Sequence, residues 1–310
     1  MRDLGWAAGF VVLWSSGFVG AVLAQPADSP AGVLAWRYVA TAAILATAVL
    51  ITRRTAITGR ELVRQSGVGL LAHVVFLGGV FGASSQGVGA GTVALVCAVQ
   101  PMLVMLVGRF AWGDSLRRRQ VFGAAVGLAA VALSVGGGFG SSGAGLLLPV
   151  ASLLGLSGAA LLERRRPPTA DTLTCLCVQV VVSAAVFLAF AAATGGLALD
   201  LTPSVAGALA WLVVLSGLGG YTAFVVCLRR LGSSRTSLLL YLTPPVTTLW
   251  AWAMFSDAPG AAQWSALALA GVAVVLSWPA PARGGPAESG AADVGEVGGG
   301  RRLDGAGARR

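Results

Sequence analysis

The chain has 310 residues, of which 56% are hydrophobic and 11% charged, with a mean hydropathy of +0.82. A soluble domain carries about 25% charged residues, so this composition excludes an ordinary soluble protein and describes a polytopic membrane protein. The net charge of +9 rests wholly on arginine, and those arginines lie between apolar runs or in the C-terminal tail, which excludes the basic face of a nucleic-acid-binding fold.

Ten apolar runs of the length a helix needs to cross a bilayer, about 20 residues, follow in order. The first is Leu4 to Ala24; it is too long for the apolar part of a signal peptide and is taken as a span. Then come Ala31 to Ile51, Ser66 to Gln86 and Ala90 to Phe110. Val121 to Gly137, Ala144 to Leu162 and Thr172 to Thr194 follow. The last three are Val205 to Leu228, Thr236 to Phe255 and Trp264 to Trp278. Backbone groups must be paired within the segment in lipid, and runs this long and continuous predict helices. Beyond them, residues 280–310 are rich in Gly, Ala and Pro, and predict a disordered cytoplasmic tail.

The loops alternate in charge. Those at 25–30, 87–89, 138–143, 195–204 and 256–263 hold no arginine, whereas the intervening ones hold Arg53, Arg54, Arg60 and Arg64, then Arg117 to Arg119, Arg164 to Arg166, and Arg229, Arg230 and Arg235. The positive-inside rule places the basic loops and both termini in the cytoplasm of a cell (plasma) membrane protein.

One stretch occurs twice. Thr92 to Val135 aligns without a gap on Arg235 to Trp278, 143 positions later, with Pro101 on Pro244, Asp114 on Asp257 and Gln120 on Gln263. Ser16-Gly17 matches Ser157-Gly158 at 141, and Arg37 falls on Gln179 at 142. An odd number of spans separates the copies, so the second half is inverted. The expected fold is all-α integral membrane: ten transmembrane helices as two inverted five-helix repeats, residues 1–137 and 144–279, followed by the tail. Inverted repeats recur in secondary transporters, with the substrate site near the midplane between halves.

Polar residues within the spans are few. Arg37 lies about six residues into the second span; it reads either as a contact for an anionic substrate or as a side chain that snorkels outward to Asp28 or a phosphate. His73, the single histidine, reads as a proton or substrate contact or as a helix–helix hydrogen bond. Pro101 after Gln100 and Pro244 after Thr243 each free a carbonyl and kink a helix; the two kinked helices are either cavity walls or structural bends. Trp14, Ser15 and Ser16 are candidates for a lining, as is Tyr241, while Trp250 and Trp252 suit an interfacial aromatic belt. Substrate-binding candidates are therefore Trp14, Ser16, Arg37, Gln100 and Tyr241; Asp114 and Asp257 are turn or cap residues.

Cys97, Cys175, Cys177 and Cys227 lie within apolar runs, without the spacing of a metal site. No cofactor or metal is expected. No Asp or Glu lies in a span core, there is no P-loop, and no nucleophile has a second catalytic partner beyond His73. The expected partners are the lipid bilayer and a small-molecule substrate, with a homodimer left open and nucleic acid excluded.

The chain resembles the drug/metabolite transporter superfamily, specifically its EamA-type ten-span carriers. The resemblance rests on WSSGFVGAVLA from Trp14, WRY from Trp36, LLAHVVFLGGVFGA from Leu70, ALVCAVQPMLVMLVGRFAWGDSL from Ala94 and SLLLYLTPPVTTLWAWAMFSD from Ser237. Two positions depart from that pattern: the usual Glu at the turn is Asp114 and Asp257, and a Lys often found late in the first span is Val22. The resemblance implies a secondary transporter, not an enzyme, that exports a small amino-acid-like or drug-like metabolite by alternating access. A non-transporting scaffold and an intramembrane enzyme using His73 are the readings it competes with.

Overall fold

The computed structural model describes residues 2–27, 29–52, 57–113, 118–137, 145, 147–165, 168–231, 236, 239–256 and 258–277. Asp28, Asp114, Asp257 and the tail at 280–310 lie outside the described residues.

Among the described residues all regular structure is helical. In chain order these are α1 (Arg2–Leu23), α2 (Pro30–Ile51) and α3 (Gly59–Gly69), then a π-helical segment, Leu70–Val75, which runs into α4 (Phe76–Ser85). Next come α5 (Ala90–Cys97), α6 (Gln100–Trp112), α7 (Arg118–Gly137), α8 (Leu147–Arg165) and α9 (Thr172–Ala193). α10 (Pro203–Trp211) leads through a second π segment, Leu212–Gly220, into α11 (Tyr221–Leu231). A short 3₁₀ turn, Leu240–Leu242, precedes α12 (Thr243–Phe255), and α13 (Ala261–Ser277) follows. Seven helical rods among the described residues are long and apolar enough to cross a membrane.

Local sequence explains the helix ends. Ser29 caps α2, accepting from the Gly32 amide at 3.0 Å ahead of Pro30, and Asp171 caps α9 by accepting from the Leu173 amide at 3.0 Å. Each matched proline of the repeated stretch, Pro101 and Pro244, sits in a first helical turn, where its missing N–H costs nothing. The regular α-helix is interrupted before it: α5 stops at Cys97 ahead of Pro101, and the 3₁₀ turn ends at Leu242 ahead of Pro244. At both places the backbone stays right-handed helical through a tighter turn, at Ala98 and Val99 and at Leu240–Leu242, as a kink at each proline would have it. The helices that follow end alike, in a left-handed residue: Gly113 (φ 71°) after α6, and its counterpart in the repeat, Ser256 (φ 57°), after α12.

Helix pairing has a twofold pattern. α7 packs along α13, α2 along α9 and α5 against α12; α1 packs on the second π segment and α11, as α8 packs on the first π segment and α4. Shifting each helix by the offset of the repeat maps α7 with α13 and α2 with α9 onto themselves, and the pairs of α1 onto those of α8. The two π segments begin at Leu70 and Leu212, positions that the offset setting Arg37 on Gln179 also superimposes.

The interior holds apolar contacts together with buried Ser, Thr and Gln side chains, whereas large apolar side chains face outward, among them Phe110 (86% exposed), Leu50 (75%) and Val275 (71%). A soluble monomer seldom exposes so much apolar surface in one molecule; here it is the surface that meets hydrocarbon.

Candidate functional site

α2, α9, α11 and the two π segments enclose a cavity of about 260 Å³ at the centre of the bundle. A smaller lobe of about 50 Å³ continues toward α1 and α4. Arg37, His73 and Tyr221 line both. The larger lobe widens along Leu45, Thr172 and Val226, toward the ends of α2, α9 and α11 that adjoin arginine-bearing loops, and Thr172 and Thr222 are exposed there.

π-helical turns are frequent at functional sites because the extra residue redirects side chains. The first carries His73, and the second carries Ser216 and Gly217 against α2. Gly17 on α1 makes room for this: a Cβ there would lie 2.7 Å from the Ser216 hydroxyl. Ser216 Oγ in turn accepts from Arg37 Nη2 at 3.2 Å. Arg37 is 5% exposed, so it does not reach the surface to snorkel. Its Nη1 is buried with no hydrogen-bond partner, and its guanidinium carbon lies 5.6 Å from the centre of the Tyr38 ring.

His73 belongs to a ladder of buried polar groups. Its Nε2 lies 3.3 Å from Gln179 Oε1, Gln179 Nε2 donates to Gln65 Oε1 at 2.6 Å, and Gln65 Nε2 donates to Glu61 Oε1 at 3.0 Å and Glu163 Oε1 at 3.4 Å. An ionised carboxylate only accepts, and this sets the direction of every bond behind it. Gln65 gives its amide protons to Glu61 and so receives from Gln179, whose oxygen receives from His73. The imidazole therefore carries its proton on Nε2. The Tyr221 hydroxyl lies 3.1 Å from Nε2 and 3.2 Å from Nδ1, so Gln179 and Tyr221 together hold the ring. Of the two readings of His73, the helix–helix bond is the one this geometry contains, joining α9 to the rod of α3 and α4.

Aromatic rings form the remaining wall. Tyr38 stands edge-on to His73 with centroids 5.6 Å apart, and Trp14 lies 6.0 Å from Tyr221. Three residues singled out from sequence, Trp14, Arg37 and His73, thus meet at one place. Ser16 is one turn away, with its hydroxyl bonded to the Leu13 carbonyl at 2.6 Å and its carbonyl held by Trp211 Nε1 at 3.0 Å. Gln100 and Tyr241 do not line either lobe; Tyr241 packs with Ala98, Met102 and Ala273 in a separate cluster. Sequence reasoning missed Tyr38, Gln65, Gln179, Ser216 and Tyr221. Tyr38 adjoins Arg37, and only three tyrosines occur in the chain, so weighing all three was the available signal.

At the opposite, arginine-free end α2 is held against the loop after α9, and a pocket of about 420 Å³ lies among the ends of α1, α2 and α4 beside Gln25, Pro30 and Ser84. Trp36 Nε1 donates to the Leu197 carbonyl at 3.0 Å, and Gly32 on α2 sits so near the Gly196 carbonyl that a side chain would collide.

Among the described residues the helices form a bundle of apolar rods around a cavity with a buried cation on its wall, the architecture of a multi-pass membrane protein. The EamA-like transporter family model matches this chain twice, over residues 2–136 and 143–278, and the chain belongs to that family, within the drug/metabolite transporter superfamily. Curated relatives include proteins described as "Uncharacterized inner membrane transporter YedA" from Escherichia coli strain K12 and from E. coli O157:H7; each is 24% identical over 269 residues, covering 86% of this chain and 87% of the relative. A crystal structure of a protein 22% identical overlays at a TM-score of 0.62, spanning 89% of this chain and 96% of its own, and shares the fold.

Proposed function

We propose that the protein is a secondary transporter of the plasma membrane that exports a small metabolite, amino-acid-like or drug-like, by alternating access. The observation that carries this reading is the cavity between helices of the two halves, with buried Arg37 on its wall. In this reading ten transmembrane helices form two inverted five-helix repeats, residues 1–137 and 144–279, with both termini in the cytoplasm. The mapping of helix pairs under the repeat shift and the matched positions of the two π segments support it. So does the YedA relatives' description as inner membrane transporters.

The mechanism starts from the cavity widening toward the arginine-bearing end. By the positive-inside rule that end faces the cytoplasm, and in this reading the cavity is reached from that side. Substrate enters past Thr172 and Thr222 and reaches Arg37, His73 and Tyr221. Release requires the contacts at the far end, Trp36 with Leu197 and Gly32 against Gly196, to part while the cytoplasmic ends of α2, α9 and α11 close. Trp14 and Arg37 contact substrate in this scheme. Ser16, Gln100, Tyr241 and the kinks at Pro101 and Pro244 belong to the moving wall around it.

Metabolite profiling of cells with and without overexpression tests the reading. A metabolite depleted inside and enriched in the medium, restored to its ordinary level by Arg37→Ala in a protein that still inserts, is the expected result. Unchanged pools, or full efflux through Arg37→Ala, refute the function or the site respectively.

A further inference from the structure

We infer that the cavity selects a small organic anion: one carboxylate-type group on Arg37, an apolar body along the wall, and no free ammonium. This deepens the transporter reading above and rests on the cavity being the substrate site.

The argument begins with charge. A guanidinium stays protonated under all biological conditions, and a buried cation without a counter-charge is unfavourable. Among the described residues no Asp or Glu lines either lobe. The carboxylates of the ladder are already engaged: Glu61 accepts from Arg64 Nε at 3.0 Å and from Gln65 Nε2 at 3.0 Å, and Glu163 accepts from Gln65 at 3.4 Å. Ser216 satisfies only Nη2 of Arg37, while Nη1 is buried and unpartnered. That nitrogen is the open donor a carboxylate oxygen would take, beside a neutral serine that the same group could share.

The neighbours offer little else to an anion or an amine. His73 is held by Gln179 and Tyr221, and the Thr41 hydroxyl is bonded to the Arg37 carbonyl at 2.9 Å. Leu45, Leu173, Leu176, Val180 and Val226 form an apolar wall opposite the charge. An ammonium would find no carboxylate here and would be repelled by Arg37. The Tyr38 ring, the natural cation-binding face, already has the guanidinium beside it at 5.6 Å. The two lobes, about 260 Å³ and about 50 Å³, leave room for a small molecule beside Arg37.

Binding to the purified full-length protein in detergent tests this, with radiolabelled 3-phenylpropanoate as probe. Competitors of one shape and different charge are N-acetylphenylalanine (anion), phenylalanine (zwitterion), 3-phenylpropanamide (neutral) and 2-phenylethylamine (cation). Saturable binding is expected, with the acetylated anion competing at least ten-fold better than the other three. Arg37→Gln should abolish the preference. Ser216→Ala, which frees Nη2 and keeps the cation, should retain it and covers the case in which Arg37→Gln does not fold. The inference is overturned by a lack of saturable binding, by equal competition from phenylalanine or the amine, or by loss of anion preference in folded Ser216→Ala. Flux measured in vesicles separates the two levels. A protein that binds and moves the zwitterion or amine removes the anion assignment and leaves the transporter standing. One that binds 3-phenylpropanoate and moves nothing does the reverse.

Discussion

The polar ladder gives the sharpest stability prediction. Gln65 has no exposed surface and Gln179 is 8% exposed, and they share the 2.6 Å bond that ties α3 to α9. Gln179→Leu leaves Gln65 Oε1 without a donor and His73 Nε2–H without an acceptor. Each buried orphan costs about 1–3 kcal/mol in a protein interior. In membrane bundles the cost is reduced, because the membrane-bound unfolded state finds other partners, and measured couplings average about 0.6 kcal/mol and reach about 1.7 kcal/mol. The short, enclosed Gln65–Gln179 bond belongs near the upper figure. We expect each single leucine variant to lose about 1–3 kcal/mol. The double variant should lose less than the sum, by as much as about 1.7 kcal/mol, since removing both partners removes the orphan with the bond. Unfolding of purified protein in dodecylmaltoside micelles titrated with sodium dodecyl sulfate, followed by the fluorescence of its nine tryptophans, measures all four corners of the cycle. Additivity within about 0.3 kcal/mol, the level expected of independent sites, would refute the ladder.

Three further outcomes follow from the backbone and the loops. Gly69→Ala places a Cβ 2.7 Å from the Gln179 carbonyl oxygen and 2.8 Å from its Cα, which cannot rotate away, so α3 and α9 must separate. A loss of about 1–3 kcal/mol is expected, whereas Gly207→Ala, with nothing within 4 Å, should be neutral or slightly stabilising in the same titration. Ser256→Gly relieves the sole positive φ of a non-glycine residue among those described and should gain up to about 1 kcal/mol, as Gly113 already does at the matching end of α6. A cysteine at Asp200, in a background lacking the native thiols, should react with an impermeant maleimide from outside intact cells, and one at Thr169 should not; the opposite pattern would reverse the assigned topology.

Much of the scaffold was legible because it rests on one-dimensional signals. Apolar run length located the helices, and the kink at Pro101 and Pro244 follows from the missing N–H of proline. The third span starts earlier than hydropathy suggested, since α3 runs from Gly59 and carries Glu61, Arg64 and Gln65. A run of charged residues reads as a loop until its partners are known. Here Arg64 pairs with Glu61 on the same helix, and Gln65 reaches across to α9. The π segments left no mark on hydropathy at all. An inserted residue shifts the helical face by about 100° while leaving the run apolar, so nothing in the sequence marks Ser216 as the partner of Arg37 or Tyr221 as that of His73.

Of the cavity wall, Trp14, Arg37 and His73 were legible as rare polar or aromatic groups within spans; the duplication drew attention instead to matched residues, whereas the cavity wall is built where the match fails. The shift that superimposes the π segments sets Arg37 on Gln179 and His73 on Leu215. α2 and α9 are thus equivalent helices packed on each other, yet one presents a cation to the cavity and the other an amide to the polar ladder. Pro101 with Pro244, and Gln100 beside them, are positions chosen by symmetry, and they serve the symmetric task of kinking two helices. A binding site on or near a pseudo-twofold axis that kept its symmetry would offer two equal half-sites to one small molecule. Placing Arg37 in one half and an amide at its counterpart leaves a single charged end, so a ligand has one orientation. The conflict between a symmetric fold and an asymmetric ligand is resolved at those two residues. Exchanging them, Arg37→Gln with Gln179→Arg, should therefore not restore binding, because Glu61 and Glu163 lie along the ladder from position 179 and would pair with the transplanted cation through or in place of Gln65. Recovery of wild-type binding in the exchanged protein would show that the two positions remain equivalent and that the ladder does not distinguish them.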